Sequence, residues 1–135
     1  LNVSDLEISD AGTLIHLRYS KTDQEGLGRD VAVPRQRGRF CPTRILERWL
    51  ASADIQDGPV FRRMLSTGEV SAHRLSAQSV GLIVKRRVSE IGLDAARFSG
   101  HSLRAGFVTT AAERGVSATW IRQQTGHKSD EMTQR

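Results

Sequence analysis

The stretch Gly100-His101-Ser102-Leu103-Arg104, followed 23 residues after its arginine by His127 within Thr125-Gly126-His127-Lys128-Ser129, decides how the rest of this chain is read. His101 and Arg104 stand three apart where a helix is predicted to begin, so their side chains project from one face. Arg104 offers a planar fork of donors suited to two oxygens of one phosphate. His101 can donate a hydrogen bond or move a proton near neutral pH. A helix N-terminus adds a field that favours an anion, and Gly100 lets a backbone or phosphate approach closely.

Outward from this stretch the chain reads as helices, and further upstream as strands. The helix is predicted from about Ser102 to Arg114, with Leu103, Phe107 and Ala111 buried and Gly115 as its stop. Ser117 caps a following helix that carries Trp120, Ile121 and Gln124 up to Gly126. Upstream, Ser76 is an N-cap for a helix whose stripe is Val80, Ile83, Val84, Val88 and Ile91, with Lys85, Arg86 and Arg87 off the stripe and Gly92 at its end. Earlier still, Pro42 opens a helix with Ile45, Leu46, Trp49, Leu50 and Ala53 on one face. Before Pro34 the period is that of strands. Leu1 to Ile8 alternates as an edge strand, Asp10-Ala11-Gly12 turns, and Thr13 to Tyr19 and Arg29 to Pro34 form a hairpin around a polar connection from Lys21 to Gly28. The expected fold class is α+β, mainly α, with a small antiparallel sheet near the N-terminus. Residues 1–135 are read as a single domain, because no linker, repeat or biased tract interrupts them.

Composition narrows the classes of function. Lys and Arg number 20 against 15 Asp and Glu, giving a net charge of +5 and a pI near 10.3, which favours a polyanionic partner. Cys41 is the single cysteine, so an intrachain disulfide and a cysteine-based metal cluster are excluded, and a reducing, cytosolic setting is expected. No apolar run approaches the ~20 residues that span a bilayer, so no membrane partner is expected. His16, His73, His101 and His127 lack the close spacing of zinc ligands. No metal and no cofactor are expected.

The Gly-His-x-x-Arg start, the Gly126-His127-Lys128-Ser129 turn and Lys21 in the upstream hairpin together resemble the tyrosine recombinases, the phage-integrase family, over essentially the whole chain. The resemblance implies a catalytic domain that cuts and rejoins double-stranded DNA through a 3′-phosphotyrosine. Arg104 would bind non-bridging phosphate oxygens, His101 would assist proton transfer at the nucleophile, His127 would hydrogen-bond the phosphate, and Lys21 would protonate the departing 5′ oxygen. It further implies action as a homo-tetramer on DNA, in the cytoplasm of a prokaryotic cell at the nucleoid. The family's first catalytic arginine is expected upstream of Leu1 and its tyrosine nucleophile beyond Arg135. These residues are therefore expected to be a partial catalytic domain, inactive alone. Tyr19, the sole tyrosine, lies in the hairpin and is not given the nucleophile's role.

Blander readings exist for each residue. His101 and Arg104 could be an ordinary helix-terminal histidine and a surface arginine, His127 could interact with a helix C-terminus, and Lys21 could be a solvated loop lysine, with Arg18 or Arg29 nearer the site. Lys85, Arg86 and Arg87 fit a solvated helix face. The principal rival function is a non-enzymatic helix-turn-helix-like DNA-binding module, with Ala111, Gly115 and Ile121 at the packing offsets and Ser117 to Gln124 as recognition helix. It leaves Lys21, His101 and His127 without a task. A type IB topoisomerase shares the Arg/Lys/His set, but the compact chain and the Gly-His-Lys-Ser turn favour the recombinase. A structural or interaction domain would rest on the helical stripes alone.

Overall fold

The computed structural model describes residues 1–18 and 27–126, which divide between two units, Leu1–Arg74 and Leu75–Arg135. The first is organised by a three-stranded antiparallel sheet in the order β1 (Leu6–Ser9), β2 (Gly12–Leu17), β3 (Arg29–Pro34). Register runs from Gly12↔Pro34 at one end of the β2–β3 pair to Leu17↔Arg29 at the other. Gly12 is required at the first of these. Its φ is +146°, and a Cβ there would stand 2.3 Å from the Val33 carbonyl oxygen. The predicted edge strand begins late: Val3–Asp5 form a 3-10 turn, because Asn2 N–H donates to the Asp5 carboxylate at 2.8 Å in a reciprocal capping arrangement. The β1 that follows is the edge of the sheet.

Helix α1 (Pro42–Ser52) starts with Pro at its first turn, as expected, and packs on β3. The sheet and α1 are joined by buried hydroxyls, Thr13 Oγ1 donating to Thr43 Oγ1 at 3.1 Å. The core of this unit contains Cys41, Ile55 and Val60. Its apolar helix face is only partly used: Ile45, expected inside, is 48% exposed, and the Trp49 indole sits half-buried with Nε1 donating to the Val60 carbonyl at 2.7 Å. A second hairpin, β4 (Arg62–Met64) with β5 (Val70–Arg74), completes the unit. Sequence periodicity missed it, because three and five residues are too few to show alternation.

The second unit is helical: α2 (Ala77–Glu90), α3 (Gly100–Glu113) and α4 (Ala118–Thr125), with a 3-10 turn at Ala95–Arg97. Each α-helix begins at a serine that accepts from its own first turn: Ser76 from Ser79 N–H, Ser99 from His101 N–H, Ser117 from Trp120 N–H. The α3 start is two residues earlier than predicted, since the cap is Ser99 and not a residue near Ser102. Val108, Ala111 and Ile121 are buried together, with Val116 packed against them. The expected burial of Leu103 and Phe107 does not occur; they are 63% and 38% exposed, and Val108 takes the inner position. On α2 only Val84 is buried, while Val80, Ile83 and, just past its end, Ile91 are exposed. The chain is thus α+β, mainly α, and among the described residues its sheets lie in the first unit. Among the described residues no helix is long and apolar enough to cross a membrane.

Candidate functional site

The capping box that starts α3 sets its first turn. Ser99 is extended, its hydroxyl accepts from His101 N–H at 3.3 Å, and its own N–H donates to Ser102 Oγ at 2.9 Å. His101 is thereby held in the first helical turn with its side chain exposed, one turn before Arg104. Among the described residues a Cβ on Gly100 would meet nothing within 4 Å.

Arg104 reaches across to the far end of α4. Its Nη1 donates to the Thr125 carbonyl oxygen, 21 residues on in sequence. Thr125 is itself buried, with its hydroxyl donating to the Ile121 carbonyl at 2.7 Å, and Gly126 then takes a left-handed φ of 72° with its N–H on the Arg122 carbonyl. A cation at a helix C-terminus is favourable, and the bond uses one of five guanidinium N–H groups. Among the described residues no carboxylate pairs with Arg104. The structure thus brings Arg104 to the turn that immediately precedes His127.

His127 and Lys21 lie outside the described residues, as does Tyr19. Arg18, considered near the site from sequence, instead pairs with the buried Asp5 carboxylate at 2.9 Å. That carboxyl is held below its usual range, first by the Asn2 N–H and, against the opposing effect of burial, by Arg18. Lys85, Arg86 and Arg87 are exposed on α2, with Arg86 and Arg87 both on Glu90 at 3.4 and 2.8 Å, the solvated face expected of them. The offsets that suggested a helix-turn-helix, Ala111 and Ile121, are the packing positions of the α3–α4 pair. The Arg104 to Thr125 link had no signal in the sequence, whereas the Ser99 cap did: Ser-x-x-Ser at residues 99 to 102 can close a reciprocal cap.

A helix start that carries His101 and Arg104, with Arg104 bonded to the last residue of α4, is an arrangement able to receive an anion. The chain belongs to the phage integrase family, the tyrosine recombinases, whose family model matches residues 1–135. It is also 40% identical over 136 aligned residues to an integrase/recombinase xerD homolog of Selenomonas ruminantium. That alignment takes in all of this chain and 40% of the length of that relative.

Proposed function

We propose that residues 1–135 act as one partial catalytic domain of a site-specific DNA recombinase that, in the intact protein, cuts and rejoins duplex DNA through a 3′-phosphotyrosine. The observation that carries this reading is the placement of Arg104, fixed by one N–H to the end of α4 and free of any carboxylate among the described residues. The remaining donors of the guanidinium are available to two oxygens of one scissile phosphate. His101, on the same face, serves the proton transfer at the attacking oxygen. His127, two residues after the carbonyl that Arg104 holds, hydrogen-bonds the same phosphate, and Lys21 protonates the departing 5′ oxygen. Phosphodiester cleavage builds charge on equatorial and leaving oxygens, and fixed cations and donors stabilise it with no cofactor or metal. Several protomers, a tetramer in our reading, assemble on DNA in a prokaryotic cytoplasm.

Tyr19 lies between hairpin strands and not after the Gly126-His127 turn, so it is not assigned the attack. These 135 residues are expected to bind duplex DNA without forming a covalent adduct on a suicide substrate. The decisive variant is Arg104→Ala. Hydrogen bonds to charged groups contribute about 1.5–3 kcal/mol, so duplex binding measured by anisotropy should weaken about 10- to 150-fold and equally across unrelated sequences. A changed base preference with unchanged overall affinity would instead support the helix-turn-helix module. An adduct formed by this chain would end the assignment of Tyr19 as a bystander.

A further inference from the structure

Residues 35–48 hold five arginines against one glutamate, a net of +4 where the whole chain carries +5. The rest of the first unit offsets it, since Leu1–Arg74 carries 11 Lys and Arg against 10 Asp and Glu, so the positive charge of this unit is concentrated in the β3–α1 loop and the start of α1. The segment is built to present it. Arg35 is the anchor: its guanidinium bonds Glu47 of α1 at 2.6 and 3.0 Å and the Ser9 carbonyl at 2.8 Å, which draws the loop onto the helix. Gln36 N–H donates to the buried Cys41 sulfur at 3.3 Å, closing the loop at its base, and Gly38 turns it with φ +99°.

What stands out from that anchored base is Arg37, Arg39, Phe40, Arg44 and Arg48, all exposed. Arg44 and Arg48 are one turn apart on α1. The Arg39 guanidinium lies over the Phe40 ring at 4.6 Å, and Phe40 is 74% exposed, so the pair is displayed and not packed inward. Among the described residues none of these four arginines forms an ion pair. The loop leaves β3 at the Gly12↔Pro34 end of the sheet, about 17 Å from the Leu17↔Arg29 end for six residues of strand.

We infer that Arg37, Arg39, Arg44 and Arg48 form a second DNA-backbone-binding surface, which grips duplex phosphates other than the one to be cut. The inference rests on the proposed reading that the substrate is duplex DNA. Unpaired guanidinium groups on an anchored scaffold suit phosphate oxygens, and each phosphate neutralised lowers the slope of log affinity against log salt by about 0.9.

The test is equilibrium binding of the 135-residue chain to a long duplex across a salt series. Changing all four arginines to glutamine should reduce the slope by about 3 to 4, while the four-lysine counterpart keeps it, because backbone contacts need charge and not a fork. An unaltered slope in the folded glutamine variant would overturn the inference, as would a lysine variant that loses as much as the glutamine one. Displacement of bound polyglutamate through these arginines, with DNA binding unaffected, would overturn it in favour of an acidic protein partner. A normal slope in the glutamine variant with weakened binding in Arg104→Ala sinks this surface alone. The reverse pair of results sustains it and sinks the role of Arg104.

Discussion

In the unit Leu1–Arg74, elements are tied together by side chains distant in sequence: Thr13 to Thr43, Arg35 to Glu47 and Ser9, Trp49 to Val60, and Arg74 to Leu1 and Asn2. In the unit Leu75–Arg135 most polar ties span two to four residues and belong to the helix caps at Ser76, Asp94, Ser99 and Ser117. Among the described residues its helices are joined by a small apolar group, by the Phe107–Trp120 ring contact and by the long polar reach from Arg104 to Thr125. Local caps fix where helices start, but they do not fix how helices meet. A long polar bond in a mainly locally organised unit is therefore informative, and the one from Arg104 to Thr125 lies at the proposed phosphate site.

The comparison is broken most forcefully at Ile121, which is 1% exposed in the small core of the second unit. Ile121→Ala should cost about 2–5 kcal/mol in urea unfolding. Each unit holds one of the two tryptophans, Trp49 in the first and Trp120 in the second, so single-tryptophan variants report the units separately. Both reporters should shift together if the chain is one folding unit. A shift of Trp120 fluorescence alone would show that the units unfold independently and would remove the single-domain reading.

A smaller effect is expected in the first unit from Thr43→Val. Thr43 is 1% exposed, and its loss leaves the buried Thr13 hydroxyl without that partner, at a cost of about 1–2 kcal/mol. The double variant with Thr13→Val should recover part of this, since an apolar pair leaves nothing unsatisfied; failure to recover would mean the hydroxyls act through other partners. Ser99→Ala, a cap in the second unit, should cost about 1 kcal/mol. Its added consequence is a loosened first turn of α3, read as weaker DNA binding beyond what the stability loss explains. Ser117→Ala, with a similar cap and no site residue in its turn, is the control.

The same division decides what was legible in the sequence. Helix starts at Pro42, Ser76 and Ser117, and stops at Gly92, Gly115 and Gly126, were readable because caps and left-handed glycines act within one turn. The β2–β3 hairpin was readable from alternation, and His101 and Arg104 from a spacing of three. Burial was not: Leu103 and Phe107 fit a helical stripe as well as Val108 does, and only the meeting of α3 with α4 chooses between them. The reach of Arg104 to a backbone carbonyl had no possible sequence signature, since every residue supplies the same acceptor.

The smallest predicted effect concerns pH, and it belongs to the first unit. His16 on β2 lies between Glu7 of β1 at 3.0 Å and Asp30 of β3 at 2.7 Å, so one imidazole joins all three strands. The Asp30 hydrogen bond, then that to Glu7, raises its pKa above the usual histidine range against the opposing effect of burial. Because the folded value is the higher one, the stabilisation is fully present below the unfolded value of about 6.5 and is lost as pH rises through the folded value. Only the imidazolium can donate to both carboxylates; the neutral ring has one N–H to give. Glu47 has the opposite sense: Arg35 lowers its pKa, so its contribution is present above the unfolded carboxylate value and lost as pH falls through the folded one. Unfolding followed through Trp49 should therefore show a maximum on the acid side of neutrality, between the carboxylate and histidine ranges. His16→Gln should flatten the alkaline limb and leave the acid limb in place. An alkaline limb that persists in that variant would mean the strands are not joined through this imidazole.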